Sequence, residues 1–156
     1  MPEVRRATVA DRDAIVVLRR AWTEENAGEQ IPDDGFEARF DAWFEREHDQ
    51  RVTWLGLTDG VAGVPVAMLN LLVFTRMPFP VTPERTRPHQ WGYLANFFVL
   101  AEHRGSGLGT RLVEACTAYA DEHGFARVVL SPSERSVPLY ARHGFAPATS
   151  LMVRPG

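Results

Sequence analysis

The sequence has one cysteine, no lysine and no long apolar run, and each shortage removes a class of protein. A single cysteine cannot build an internal disulfide framework or a cysteine-based zinc cluster, and the five histidines show no metal-ligand spacing. No stretch approaches the roughly 20 apolar residues of a membrane span. The N-terminal Met-Pro-Glu-Val-Arg-Arg also lacks the apolar core of a signal peptide. We therefore expect a cytoplasmic protein that holds no metal and crosses no membrane.

Positive charge is not in excess either. The chain has 17 basic and 20 acidic residues, which gives a formal net charge of −3 and no general basis for nucleic-acid binding. Its 156 residues are 45% hydrophobic and 24% charged, a composition typical of a globular domain large enough to bury a core. We predict one domain over residues 1–156.

The most informative stretch is a glycine-rich turn between a predicted strand and a predicted helix. The apolar run Tyr93–Leu100 precedes it, and apolar residues at helical spacing follow it. Glycines let a ligand approach the backbone closely. The unpaired N–H groups and the positive dipole end of the helix favour an anion there. The turn therefore predicts a phosphate or pyrophosphate site; a plain tight turn is the alternative.

Two common phosphate-binding motifs do not fit this turn. A dinucleotide fingerprint needs its third glycine three residues after the second, but Thr110 stands at that position and Gly109 arrives one residue early. A P-loop needs a Gly-Lys-Ser/Thr sequence, and the chain has no lysine. Both observations disfavour an enzyme that binds a nucleotide phosphate.

The pattern Arg-x-x-Gly-x-Gly, formed by Arg104, Gly107 and Gly109, resembles the acyl-CoA pyrophosphate signature of the GCN5-related N-acetyltransferases. Downstream, Leu139 to Phe145 resembles the second signature of that family, a short helix with a tyrosine that ends in Gly-Phe. The resemblance is strong over residues 92–146 and weaker over the N-terminal half. It implies the fold, acetyl-CoA as co-substrate and acyl transfer, without implying the acceptor.

The resemblance also implies a set of site residues. The turn would bind the pyrophosphate through its backbone, and the end of the preceding strand would contact the acetyl and pantetheine portion. Ser133 stands where many members carry asparagine; its hydroxyl would contact the pantetheine amide or cap the helix. The implied co-substrate site consists of Phe98, Val99, Leu100, Arg104, Gly105, Ser106, Gly107, Leu108, Gly109, Thr110 and Ser133.

Tyr140 is the predicted catalytic residue. Acyl transfer from a thioester expels a thiolate, and a phenol with a pKa near 10 can donate a proton to it at neutral pH. The matching tyrosine does this in many members of the family. The alternative is a buried tyrosine that hydrogen-bonds to the backbone. Cys116 lies on the apolar face of a predicted helix, and we expect it to belong to the core.

The sequence leaves the general base and the acceptor undecided. Some members of the family place a glutamate on the central strand, whereas here that strand carries Asn96 and no carboxylate. The candidates for a base are a water chain or one of Glu102, His89, Glu24, Glu25 and Glu29. An acidic first loop favours a cationic acceptor, whereas the arginines between residues 76 and 87 favour one that bears a carboxylate.

The predicted element order is β-α-α-β-β-β-α-β-α-β, which makes a mixed, mostly antiparallel α/β (α+β) sheet with helices on both faces. A helix is expected to open at Pro32-Asp33-Asp34, with an aromatic stripe (Phe36, Phe40, Trp43 and Phe44) that packs in the core or lines the acceptor site. Residues 148–153 are expected to form the last strand. In the family the two parallel strands splay apart around the pantetheine; here they would be Tyr93–Leu100 and Arg127–Leu130.

The hypothesis is an N-acetyltransferase that moves an acetyl group from acetyl-CoA to a primary amine on a small molecule or a peptide, by direct attack and with Tyr140 as general acid. The alternative is a non-catalytic acyl-CoA-binding sensor or interaction module. Members of the family are often dimers, and the aromatic N-terminal half is a candidate homodimer interface.

Overall fold

A computed structural model describes residues 2–32, 34–59, 62–83 and 89–156. Five strands form one sheet in the order β1-β2-β3-β4-β5. The strands are β1 (Glu3–Arg6), β2 (Arg51–Leu57), β3 (Pro65–Thr75), β4 (Gln90–Val99) and β5 (Val128–Val129). The first four pair antiparallel, while β5 pairs parallel with β4, as the crossover helix between them predicts. The expected mixed, mostly antiparallel sheet is confirmed.

Four α-helices accompany the sheet in the described residues: α1 (Arg12–Ala27), α2 (Phe36–Glu47), α3 (Leu108–Glu122) and α4 (Val137–Arg142). Gly28 ends α1 in the left-handed conformation, and Gly124 follows α3 in the same way, as predicted. The expected start of α2 at Pro32 is wrong: the helix begins at Phe36, after Gly35 with φ of 83°. Asp33 lies outside the described residues, as do Arg85 and Arg87, two of the arginines between residues 76 and 87.

The helices cover both faces of the sheet, and each face has its own core. Trp54 of β2 packs on the α3 side, together with Leu112 and Cys116 of that helix. Leu55, the next residue along β2, points the opposite way and packs with Leu18 of α1. This alternation is the period of two expected of a strand that is buried on both faces.

β4 carries a bulge in the middle of the sheet. Its pairing with β3 shifts between Met68–Phe98 and Asn70–Ala95, so one extra residue of β4 is accommodated there. Asn96 lies in this bulge with φ of 52°, the one described non-glycine residue with positive φ. Beyond the bulge, β4 has no strand partner on its β5 side among the described residues, because β5 pairs only with Gly92 and Tyr93.

The last predicted strand is absent. Residues 148–153 form neither helix nor strand in the structure, and their side chains are exposed. Their apolar composition suits a strand, but strand formation depends on packing and a paired edge, and this segment pairs with none of the described strands. None of the helices in the described parts of the chain is long and apolar enough to span a membrane.

Candidate active site

The glycine-rich turn presents a row of free backbone donors. None of the N–H groups of residues 105–110 donates a hydrogen bond to a described residue, and no side chain caps the start of α3. Gly105 and Gly107 have φ of 74° and 88°, a conformation that L side chains rarely adopt. A Cβ added at either glycine would meet nothing within 4 Å. The turn therefore offers several amides and a helix dipole to an anion, which is what a pyrophosphate needs.

Arg104 holds this turn rather than pointing freely from it. Its Nε donates to the carbonyl oxygen of Val99 at 2.9 Å, and its Nη2 donates to Oε2 of Glu25 at 2.7 Å. The ion pair with Arg104 keeps the pKa of Glu25 below its usual range. These contacts favour a role for Arg104 in shaping the loop.

A cavity of about 510 Å³, here called the turn cavity, adjoins the glycine turn. It is bounded by α1, the end of β4, the turn and the start of α4. Predicted co-substrate residues that line it are Phe98, Val99, Arg104, Gly105, Leu108, Gly109 and Ser133. The other predicted co-substrate residues, which are Leu100, Ser106, Gly107 and Thr110, do not line it, and neither does the predicted catalytic residue Tyr140.

Val99 and Leu100, two predicted contacts at the end of β4, direct their backbone N–H groups to opposite edges of the strand. The N–H of Leu100 donates to the carbonyl oxygen of Val66 at 2.9 Å, so it belongs to the sheet. Because successive residues of a strand direct their N–H groups to opposite edges, the N–H of Val99 faces away from β3. That amide lies on the side where β4 has no strand partner among the described residues.

Tyr140 lies behind the turn cavity. Its ring packs against Phe97, which lines the cavity, and against Phe145. Only 6% of the residue is exposed, and burial, with a smaller effect of Cys116, raises its pKa to about 12. Its hydroxyl makes no hydrogen bond to a described residue, so the alternative of a tyrosine bonded to the backbone is not what the structure shows.

Ser133 and Cys116 have simple environments. The Ser133 hydroxyl donates to Oγ of Ser136 at 3.0 Å, and no described side chain caps α4, so of the two roles considered for this hydroxyl the structure does not show the cap. Cys116 is fully buried, and burial raises the pKa of its thiol to about 12. Its predicted place in the core is confirmed.

A second cavity, here called the arginine cavity, has a volume of about 370 Å³ and lies between α1, α2 and the middle of the sheet. The aromatic residues Phe36, Phe40 and Trp43 line it and also pack in the core, so the stripe on α2 does both of the things considered for it. Its polar lining residues are Arg19, Arg39, Arg51, Thr53, Asn70 and Asn96.

The two cavities approach each other at the bulge of β4. Asn96 lines the arginine cavity, whereas Phe97, the next residue, lines the turn cavity. On α1, Arg19 lines the first and Trp22 lines the second, and the Arg19 guanidinium lies 4.9 Å from the Trp22 ring centre. The arrangement suits two substrates that meet at the bulge.

No carboxylate in the described chain lines the arginine cavity. Of the candidate bases, Glu25 lines the turn cavity but is held by Arg104. The Glu24 carboxylate accepts a hydrogen bond from the backbone of Ile31, and His89 packs beside Phe79. The structure therefore brings none of these candidates to the arginine cavity.

Sequence reasoning missed the polar lining of the arginine cavity. One signal was available: Asn70 interrupts the apolar run of β3, and a buried amide needs hydrogen-bond partners. It has them in Thr53, which accepts from Nδ2 at 2.7 Å, and Arg51, which donates to Oδ1 at 2.8 Å.

The mixed sheet, the gap beside β4 and the row of free amides are features that suit an extended ligand with a pyrophosphate. The comparisons with known proteins agree: the model of the acetyltransferase (GNAT) family matches residues 16–145. The chain therefore belongs to the GNAT family of acetyltransferases.

A curated relative is the uncharacterized N-acetyltransferase YobR of Bacillus subtilis, which is 37% identical over 60 residues. That match covers 36% of this chain and about a quarter (24%) of the relative's length.

Solved structures that are similar over nearly the whole chain include the following two. A GCN5-related N-acetyltransferase from Ralstonia eutropha JMP134 is 29% identical with a TM-score of 0.70, over 99% of this chain and 98% of that one. A predicted acetyltransferase from Clostridium acetobutylicum, solved with acetyl-CoA, is 19% identical with a TM-score of 0.71, over 99% and 96% of the two chains. The second likeness shows the fold alone.

Proposed function

We propose that this protein transfers an acetyl group from acetyl-CoA to a primary amine by direct attack. The observation that carries the proposal is the row of unpaired amides at residues 105–110, beside a cavity that leads to the unpartnered edge of β4. Acetyl-CoA supplies an activated thioester. The family membership supports this reaction class.

The glycine turn and the end of β4 bind different parts of acetyl-CoA. The amides of residues 105–110 bind the pyrophosphate, and the free edge of β4 pairs with the pantetheine amides. The N–H of Val99 is the donor best directed to stabilise the oxygen that gains negative charge during attack. Fixed amides of this kind need no reorganisation at the moment of reaction.

Tyr140 donates a hydrogen bond to the departing sulfur, which is the limited form of general-acid catalysis that its pKa allows. A pKa of about 12 keeps its phenol protonated across the physiological pH range, so the proton is always present. This phenol is a weaker acid than a thiol with a pKa near 8.5. Its main contribution is therefore a hydrogen bond that strengthens as negative charge develops on the sulfur.

The acceptor amine enters through the arginine cavity. Without a carboxylate in the described lining, and with guanidinium groups in it, this cavity disfavours the ammonium form of a bound amine. The ammonium form therefore gives one proton to water before attack, and the attacking nitrogen gives a second proton to water as the C–N bond forms and the thiolate leaves. With water as the acceptor of both protons, the chain needs no dedicated general base.

A thiol-release assay over a panel of primary amines, with acetyl-CoA as donor, tests the reaction. We expect release of coenzyme A that depends on the amine, with the acetylated amine found by mass spectrometry. Acetyl-CoA binding without turnover on any amine would contradict the enzyme and support the non-catalytic acyl-CoA-binding module.

A further inference from the structure

From the lining of the arginine cavity, we infer that the acceptor is an amine that carries a carboxylate on an aromatic or apolar body, with the carboxylate bound by Arg19. This inference rests on the proposed function only where it calls the bound amine the acyl acceptor. The binding site itself rests only on the residues of the cavity.

Two of the three arginines in the cavity already have carboxylate partners. Nη2 of Arg39 lies 3.0 Å from each carboxylate oxygen of Asp34. Arg51 donates to Oε2 of Glu47 at 3.3 Å and to Oδ1 of Asn70 at 2.8 Å. The positive charges of Arg39 and Arg51 are therefore compensated within the chain. We assign these two residues to the lining of the cavity and not to binding of the ligand's carboxylate.

Arg19 is different. The residue is partly buried, and its guanidinium has no carboxylate or hydrogen-bond partner among the described residues; the guanidinium lies over the face of Trp22. A guanidinium that is partly removed from water and has no counter-ion favours an anionic ligand. One such group matches a carboxylate, which it can bind through two parallel hydrogen bonds.

The rest of the cavity selects the body of the ligand. Phe36, Phe40 and Trp43 provide flat apolar walls, and a volume of about 370 Å³ suits a small molecule. The side-chain amide of Asn96 has no hydrogen-bond partner within the described chain and lies beside the turn cavity, where it can bind the amine. A carboxylate on Arg19 and an amine near Asn96 both lie on the side where the two cavities meet.

Isothermal titration of the full chain with two probes tests the site without any turnover. The probes are 3-phenylpropionate and its uncharged amide, 3-phenylpropionamide. We expect the carboxylate to bind about tenfold or more tightly than the amide, because a charge-assisted pair is lost with the amide.

Three variants locate the effect. Arg19→Gln is expected to reduce the preference to within about twofold, while Arg19→Lys, which keeps the charge, retains part of it. Arg46→Gln removes an equal charge from the exposed face of α2 and is expected to leave the preference unchanged. Circular dichroism melting confirms that each variant is folded.

Several outcomes would overturn the inference. They are binding of neither probe, equal binding of both, a preference that survives Arg19→Gln, or tighter binding of phenyl phosphate than of the carboxylate. Acetyl-CoA binding and turnover of uncharged amines with no carboxylate preference would sink this inference and leave the proposed function standing. A carboxylate preference without any acetyl-CoA binding would support this inference and contradict the proposed function.

Discussion

The carboxylate of Glu25 on α1 accepts a 2.7 Å hydrogen bond from Arg104, 79 residues later in the chain. The same guanidinium also bonds to the carbonyl oxygen of Val99 at the end of β4. Arg104 thus joins the glycine turn to the strand before it and to a helix on the other side of the turn cavity. We expect the two bonds to contribute differently to acetyl-CoA binding. The bond to Val99 fixes the shape of the turn, whereas the bond to Glu25 is an ion pair whose partners are partly exposed.

Arg104→Gln is expected to weaken acetyl-CoA binding by about tenfold, because the bond that shapes the turn is lost. Glu25→Gln is expected to change the dissociation constant by less than about threefold, since partly exposed ion pairs contribute little and the Val99 bond remains. Isothermal titration measures both. Equal loss in the two variants would show that the link to α1, not the shape of the turn, matters for binding.

Tyr140→Phe is expected to lower kcat by about 10²-fold, because the hydroxyl that donates to the sulfur is gone. The ring contacts with Phe97 and Phe145 remain, so acetyl-CoA affinity should stay within about twofold. Rates of coenzyme A release give kcat, and isothermal titration gives the affinity for acetyl-CoA. A fall in kcat of less than about threefold would remove Tyr140 from the mechanism.

Cys116→Ala is expected to keep kcat within about twofold and to lower stability by about 1–2 kcal/mol, because a buried sulfur is lost from the core without a chemical role. The raised thiol pKa and complete burial also predict that native protein resists iodoacetamide. Mass spectrometry after alkylation, with and without denaturant, checks this. Loss of turnover in a fully folded Cys116→Ala protein would argue for a covalent route.

Asp11, directly before α1, contributes to stability through its ion pair with Arg5, and this contribution depends on pH. Arg5 donates two hydrogen bonds to its carboxylate, which lowers the pKa of Asp11 to about 2. A carboxyl whose pKa is depressed on folding stabilises the protein above its unfolded pKa, and the effect is lost between about pH 4 and pH 2. Asp11→Asn should therefore cost about 1–2 kcal/mol at pH 7 and almost nothing near pH 2.

Urea unfolding of both proteins across this pH range measures the difference in the free energy of unfolding. Asp13→Asn, at an exposed neighbouring carboxylate, serves as the control. A difference for Asp11→Asn that is constant from pH 7 to pH 2 would show that the ion pair with Arg5 is not its source.

The comparison of sequence and structure separates local signals from tertiary ones. The glycine turn, α3 and the parallel β4–β5 pair follow from turn chemistry and spacing within one stretch of chain, and the structure has them. The arginine cavity does not follow, because Arg19, Arg51 and Asn70 come from α1, β2 and β3 and meet only when the sheet forms. The bulge at Asn96 depends likewise on the register between β3 and β4.

The last predicted strand is missing for a related reason, because the assembled sheet does not offer it a partner. Residues 148–153 have a composition that suits a strand, but β5 pairs over only two residues and offers little edge to extend. A sequence window shows what a segment would accept, and only the assembled sheet shows whether a partner is present.

The central claim, that bare amides of the glycine turn bind the pyrophosphate of acetyl-CoA, is tested most directly by titrating acetyl-CoA into Gly107→Glu and Gly124→Glu. Both glycines have positive φ with free space around them, and they flank opposite ends of α3, so backbone strain and added charge are matched. We predict that Gly107→Glu weakens binding by about a hundredfold or more through charge repulsion and obstruction, while Gly124→Glu binds like the wild type. Undiminished affinity in a folded Gly107→Glu protein would contradict the account.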